Sequence, residues 1–142
     1  MMKNWFKLIL VTLFVFTSTK CTKNEESSGI PNVPVSLSIY VTLPSNFALQ
    51  AIGGYEYYDG GSMGIIVFRS DVNQFLAFDR HSTYRPEDYC AVEVDSSAIY
   101  MVDPCSGSRF SLYDGSVVQG PAAYPLRQYR TNYTNGVLRV YN

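Results

Sequence analysis

Apolar and polar residues alternate with a period of two in several short stretches after residue 34. The clearest examples are 35–43 and 90–94, and such alternation is typical of strands that bury one face. Residues 63–69 instead form an almost continuous apolar run, which predicts a strand buried on both faces. Further short strands are predicted at 55–58, 75–78, 99–102, 110–112, 117–118, 127–131 and 137–141.

Turn residues separate these stretches. Asp59-Gly60-Gly61 and Asn135-Gly136 are hairpin signals, since Gly and Asn tolerate the positive φ angles that tight turns need. No segment shows a convincing helical period. Roughly ten short strands joined by hairpins predict an all-β fold, a small antiparallel stacked-sheet or barrel domain over residues 35–142. A chain of 142 residues is long enough for one such domain with its own core.

The first twenty residues have a different pattern. Lys3 and Lys7 precede an apolar run at 8–16, and small polar residues then lead to Cys21. This layout predicts a secretory signal peptide over 1–20. Cys21 resembles the lipid-acceptor Cys of bacterial lipoproteins, although Lys20 stands where such signals usually carry a small residue. We expect an exported, membrane-anchored protein at the periplasmic face or the cell surface; an uncleaved anchor is the alternative.

Residues 21–34 are polar, contain two prolines and lack amphipathic periodicity, so they are predicted to form a flexible tether. Without residues 1–20 the chain keeps one Lys and seven Arg against twelve acidic residues, a net charge of −4. No basic stripe is present. We therefore expect no nucleic-acid partner, and the expected membrane contact is the lipid anchor.

The most distinctive stretch is Asp103-Pro104-Cys105-Ser106-Gly107-Ser108-Arg109-Phe110, followed by Asp114-Gly115 and Gly120-Pro121-Ala122. Pro104 fixes its φ angle and Gly107 permits a positive one. A sharp reversal around residues 105–106 is therefore predicted, followed by a short strand and a second turn.

This stretch resembles the second cluster-binding loop of the Rieske family, whose pattern is Cys-Pro-x-His-Gly-Ser-x-Phe, then Gly and Gly-Pro-Ala. Asp103 stands where the family has its ligand Cys, and Ser106 where it has its ligand His. The strand pair at 64–69 and 75–80 resembles the one that delivers the first cluster loop. There Ser82 and Tyr84 occupy the ligand positions. The matching positions in the second loop are Pro104, Gly107, Ser108, Phe110, Gly115, Gly120, Pro121 and Ala122.

The resemblance implies a Rieske-like fold without the Rieske cofactor. A [2Fe–2S] Rieske centre needs two thiolates and two imidazoles, whereas hydroxyl and carboxylate groups suit harder cations. The cluster is therefore expected to be absent. His81 lies beside an aligned position and is a candidate displaced ligand, but one imidazole cannot replace four groups. No other metal site is predicted, although Asp103 with Glu87 or Asp88 offers oxygen ligands.

Catalysis at these positions is not expected. Asp103, His81 and the two loop serines include the components of a catalytic triad, but loop Ser and Asp residues more often make local turn bonds. We expect no enzyme activity. Arg80, Arg85 and Arg109 are instead expected to pair with Asp79, Asp103 and neighbouring acidic residues, and a bidentate pair of this kind would tie the two loops together.

Cys105 lies at the position where high-potential Rieske proteins carry a disulfide to the first loop. Cys90 lies three residues beyond the matching partner position at Glu87. The resemblance thus implies a Cys90–Cys105 disulfide, which an oxidising compartment would favour. The alternative is two free thiols that pack as small apolar side chains.

Three functions follow from these observations. The first is a non-enzymatic, cluster-free Rieske-like lipoprotein domain with a structural or interaction role at a bacterial membrane surface. The second is a thiol–disulfide redox element that uses Cys90 and Cys105. The third is a [2Fe–2S] electron-transfer protein, which fold analogy alone would suggest. A protein partner is possible, but the sequence does not identify it.

Overall fold

Ten short strands form two antiparallel sheets in the computed structural model, which describes residues 28–142. The all-β prediction is confirmed. The strands are β1 (Ser36–Tyr40), β2 (Tyr55–Tyr58), β3 (Ile65–Asp71), β4 (Gln74–Asp79), β5 (Glu93–Val94), β6 (Tyr100–Val102), β7 (Arg109–Ser111), β8 (Val117–Gln119), β9 (Gln128–Thr134) and β10 (Val137–Tyr141).

The larger sheet has six strands in the order β1-β10-β9-β4-β3-β2, and the smaller has four in the order β5-β6-β7-β8. The first and last strands pair, with Ser36 opposite Tyr141. A tight turn joins β9 to β10, where Asn135 and Gly136 have φ angles of 51° and 79°. The predicted Asn-Gly hairpin is confirmed.

Strand β3 separates two hydrophobic cores. Ile65 and Val67 point into the first core and Ile66 and Phe68 into the second, because successive side chains of a strand face opposite sides. All four are at most 1% exposed, which confirms the prediction of a strand buried on both faces. The second core joins the large sheet to the small one, so it supports the loops between them.

Local structure differs from the sequence-based expectation in two places. The predicted strand at 90–94 shrinks to Glu93–Val94, because Cys90 accepts a hydrogen bond from the Ser82 N–H and Ala91 bridges His81 in the preceding loop. Two short 3₁₀ segments, Pro44–Gln50 and Pro86–Asp88, were not predicted. Each begins with proline, whose fixed φ angle suits a first helical position.

The segment 28–34 lies on the domain surface. Ile30 is 6% exposed, and the Arg127 guanidinium donates to its carbonyl at 2.8 Å and to that of Pro31. At the other end of this segment, the side-chain oxygen of Asn142 accepts a hydrogen bond from the Val35 N–H at 3.0 Å. Cys21, the predicted signal peptide and the rest of the predicted tether lie outside the described residues. Within 28–142, no helix has the length and apolar character needed to cross a membrane.

Candidate functional site

Two loops meet at one end of the domain. The first follows β4 and spans 80–92, and the second joins β6 to β7 and spans 103–108. A disulfide links them between Cys90 and Cys105, whose Cα atoms are 6.3 Å apart. The predicted pairing is confirmed. The bond closes a 15-residue separation and ties the two loops together covalently.

Asp103 lies at the centre of a second connection between the loops. Its Oδ2 atom accepts from the Ser82 hydroxyl of the first loop at 2.7 Å and from the Ser106 hydroxyl at 2.6 Å. Its Oδ1 atom accepts from the Cys105 N–H at 2.9 Å. The Asp103 residue is fully buried, so these donors replace the water that a carboxylate would otherwise need.

These hydrogen bonds determine the charge state of Asp103. Burial raises the pKa of its carboxyl, but bonds from the hydroxyls of Ser106 and Ser82 and from backbone N–H groups lower it more, and the net pKa is below 3.8. Asp103 is therefore a carboxylate near neutral pH. A carboxylate only accepts hydrogen bonds, so both serine hydroxyls must donate to it.

Three of the four positions that align with Rieske ligands are thus gathered at one point: Ser82, Asp103 and Ser106. Tyr84 is not part of this group, because its side chain packs against the second hydrophobic core. Its backbone N–H contacts the Ser82 hydroxyl at 3.2 Å.

Arg85 and Arg109 pair with neighbouring acidic residues, as predicted, but no arginine pairs with Asp79 or Asp103 among the described residues, so the predicted arginine–carboxylate tie between the loops is wrong. Arg109 bonds Asp95 at 2.7 Å, because the pairing of β5, β6 and β7 brings the Arg109 strand beside the Asp95 turn. Arg85 contacts its own neighbours Glu87 and Asp88, and Arg80 donates to the Val92 carbonyl at 3.0 Å. The carboxylate between the loops is satisfied by hydroxyls instead.

Asp79 fixes the start of the first loop and was not predicted in this role. It is fully buried and accepts from the Tyr129 hydroxyl at 2.6 Å, the Ser62 N–H at 2.7 Å and the His81 N–H at 2.9 Å. Burial and the bond to Asp79 raise the pKa of Tyr129, which keeps its phenol protonated as a donor. The sequence does contain a signal for this role, because Asp79 is a charged residue at the end of an apolar strand.

His81 is buried, and both of its ring nitrogens have hydrogen-bond partners. Its Nδ1 atom lies 2.7 Å from the Ser62 hydroxyl and its Nε2 atom 2.8 Å from the Pro86 carbonyl. Because the carbonyl can only accept, Nε2 carries a hydrogen. His81 has no bond to Ser82 or Asp103 among the described contacts, so the triad components are not arranged as a triad.

The residues at the loops do not fit a Rieske cluster. The ligand atoms of Cys90, Asp103 and Cys105 lie within 4.8 Å of one another, but the two sulfurs are bonded to each other and cannot be thiolate ligands. The oxygens of Ser82, Asp103 and Ser106 are used in mutual hydrogen bonds. The imidazole of the adjacent His81 is held by Ser62 and Pro86.

Comparison with known proteins supports the fold. No protein-family model matches the sequence, and no curated protein matches it. The solved plasma membrane Rieske protein PetC3 of the cyanobacterium Synechocystis is similar in structure, with a TM-score of 0.52 and 23% identity over 61% of this chain and 84% of that one. The ferredoxin of carbazole 1,9a-dioxygenase from Nocardioides aromaticivorans is also similar in structure. Its TM-score is 0.51 and its sequence identity 16%, over 75% of this chain and 95% of that one.

A further solved structure is a complex of reduced oxygenase and oxidised ferredoxin in carbazole 1,9a-dioxygenase. It matches with a TM-score of 0.52 and 16% identity, covering 78% of this chain and 94% of that one. The chain therefore has a Rieske-like fold, as its loop pattern predicts. Both sulfurs of Cys90 and Cys105 are used in the disulfide, and the four aligned ligand positions carry no Cys or His, so the described residues supply no thiolate for a bound cluster.

Proposed function

We propose that this protein is a non-enzymatic, cluster-free Rieske-like lipoprotein domain with a structural or interaction role at a bacterial membrane surface. The observation that carries this proposal is the Asp103 carboxylate, buried between the loops and bonded to Ser82 and Ser106. All three lie at positions that align with cluster ligands. With the disulfide beside them, they join the loops without a cofactor.

The start of the described chain lies beside the first loop. Gly29 lies against Pro86 in the first loop, so close that a Cβ atom at residue 29 would be 3.3 Å from the Pro86 ring. A few residues separate this point from Cys21, and an extended chain spans at most about 3.6 Å per residue. If Cys21 carries lipid, this part of the first loop lies within roughly 30 Å of the membrane.

Cofactor content is the decisive measurement. Protein purified anaerobically should be colourless, contain no stoichiometric iron or acid-labile sulfide, and lack a Rieske EPR signal after reduction. A cluster-containing Rieske ferredoxin produced in the same cells is the positive control. Stoichiometric iron and sulfide in the folded protein would contradict the proposal and would require a different alignment of the first loop.

Lipidation is tested separately. Cells fed a fatty-acid analogue should label the wild-type protein and not Cys21→Ala, whereas Thr22→Ala serves as a neighbouring control that keeps the label. Equal labelling of wild type and Cys21→Ala would exclude Cys21 as the lipid site. This result would leave the cofactor question untouched, because the two measurements are independent.

The thiol–disulfide alternative rests on one observation. Cys105 is exposed whereas Cys90 is buried, so the disulfide lies at the surface of the domain. Against this, the neighbouring Asp103 carboxylate disfavours a thiolate, which a redox-active cysteine needs. A reduction potential below about −300 mV would identify a structural disulfide, and a value near −200 mV a redox-active one.

A further inference from the structure

One face of the large sheet is exposed along strands β1, β10 and β9. Ser38 lies opposite Arg139, and Arg139 lies opposite Asn132. Residues directly opposite one another in antiparallel strands share a face, so these three side chains form a row across the sheet. All three are exposed, because the opposite face of these strands packs into the first hydrophobic core.

This row lies at the middle of a shallow groove. Two adjoining depressions of about 450 and 440 Å³ both include Ser38, Arg139 and Asn132. Tyr141 lines the first depression and Tyr40 the second, and these rings are 39% and 56% exposed. Four residue steps along the strands separate the two ends, a length of roughly 14 Å at 3.4 Å per residue.

The charge of this face is opposite to that of the domain. Residues 28–142 contain ten acidic residues and seven Arg, but β1, β9 and β10 contain no Asp or Glu and two exposed arginines, Arg130 and Arg139. Neither guanidinium has a hydrogen-bond or ion-pair partner in the described part of the chain. A guanidinium in this state can bind a carboxylate through two parallel hydrogen bonds.

We propose that the groove binds an acidic polysaccharide through its uronate carboxylates. Arg139 holds a carboxylate at the centre, with Arg130 on the same face as a second cation. The hydroxyl of Ser38 and the amide of Asn132 bond sugar hydroxyls. Tyr40 and Tyr141 provide an apolar ring surface at each end. This inference goes beyond the proposed function and does not depend on the state of the two loops.

An acidic peptide fits the groove less well than a glycan. An extended peptide binds most readily along a free sheet edge, where it gains backbone hydrogen bonds. Strand β1 is an outer strand of its sheet and offers such an edge, whereas the groove lies over the sheet face. Its lining of Ser, Asn and Thr side chains offers hydroxyl and amide partners rather than apolar sockets for side chains.

Binding to polygalacturonate is the test, measured with the full-length protein in detergent. The wild type should bind, and binding should weaken as salt rises because ion pairs at a surface are screened. Arg139→Gln should weaken binding about tenfold, the effect of losing a charge-assisted hydrogen bond. Arg85→Gln removes an exposed arginine at the loop end and should bind like the wild type. Unchanged melting temperatures would show that both variants are folded.

Two further probes separate the alternatives. Neutral dextran should not bind, and poly-glutamate should bind more weakly than polygalacturonate. Equal binding of poly-glutamate, no binding of polygalacturonate, or an Arg139→Gln variant as tight as the wild type would each overturn the proposal. A tenfold loss in Arg139→Gln, with no loss in Arg85→Gln, supports it.

Discussion

The large sheet and the loop end of this domain are held together by different kinds of interaction. In the sheet, apolar side chains such as Ile65, Val67 and Leu138 are fully buried and pack in a continuous core. At the loop end, the connections are one disulfide and one buried carboxylate with its two hydroxyl donors. The sheet therefore depends on many small contacts and the loop end on a few specific ones.

This difference has a consequence for a domain without a cluster. A metal cluster would join two loops through several ligand bonds, and a hydrophobic core cannot substitute for it between short polar loops. A covalent bond and a buried, fully hydrogen-bonded carboxylate can do so locally. In our proposal the sheet keeps the fold, and the loop end keeps its shape through these two links.

The largest effect should come from the core beneath the loops. Phe78 is fully buried and packs against Gly115, where an added Cβ would lie 2.8 Å from the ring. Phe78→Ala should lower the free energy of unfolding by about 3–5 kcal/mol, measured by urea denaturation. Phe47→Ala is the control, since Phe47 is 75% exposed. Equal losses in both variants would mean that burial does not determine stability here.

Reduction of the disulfide should have the next largest effect. A bond that closes 15 residues stabilises by about 3 kcal/mol if it acts through the entropy of the unfolded chain. The Cys90→Ser/Cys105→Ser double variant should lose a similar amount and should no longer respond to reductant. A wild type whose melting temperature is unchanged by reduction would show that other contacts hold the loops.

Hydrogen exchange sharpens this contrast between the regions. In the reduced protein, amides of the loops such as Ser82 and Gly107, which bond to backbone carbonyls, should exchange faster through local opening. Amides in the centre of β3 and β4 should keep their protection. Equal acceleration in both regions would indicate that the disulfide stabilises the whole domain rather than its loop end.

The sheet was more predictable than the loops for a physical reason. Side-chain alternation and the apolar run at 63–69 depend only on which face is buried, so the strands can be predicted locally. The pairing of β1 with β10 joins the two ends of the described chain, and local pattern does not determine it. The partner of Asp103 depends on where neighbouring strands place each arginine, and Arg109 is taken by Asp95.

Replacing Asp103 tests the carboxylate itself. Asp103→Asn keeps the size of the side chain and removes its charge, and it should cost about 1–3 kcal/mol because two hydroxyls and an N–H lose an ionised acceptor. The folded-state pKa lies below the usual 3.8, so this contribution is fully present above about pH 4 and is lost as pH falls through the folded pKa.

The stability difference between wild type and Asp103→Asn should therefore shrink below about pH 4. Other acidic groups titrate in the same range, since hydrogen bonds also lower the pKa values of Asp95 and Asp114. Asp95 and Asp114 are present in both proteins, so their contribution cancels when the two free energies of unfolding are subtracted. A difference that stays constant down to pH 2 would show that Asp103 is not stabilised as a carboxylate.

The smallest effects should come from the two hydroxyl donors. Ser82→Ala and Ser106→Ala should each cost about 1.5 kcal/mol, the low end of the range for one hydrogen bond to a charged group. Because both hydroxyls donate to the same Oδ2 atom of Asp103, their effects should not add. The double variant leaves that oxygen buried with neither hydroxyl donor, so its loss should exceed the sum by about 0.5 kcal/mol or more. Ser45→Ala, at an exposed serine away from Asp103, is the control for loss of a serine hydroxyl. Additive losses would show that the two serines act separately and that Asp103 does not join the loops through both of them.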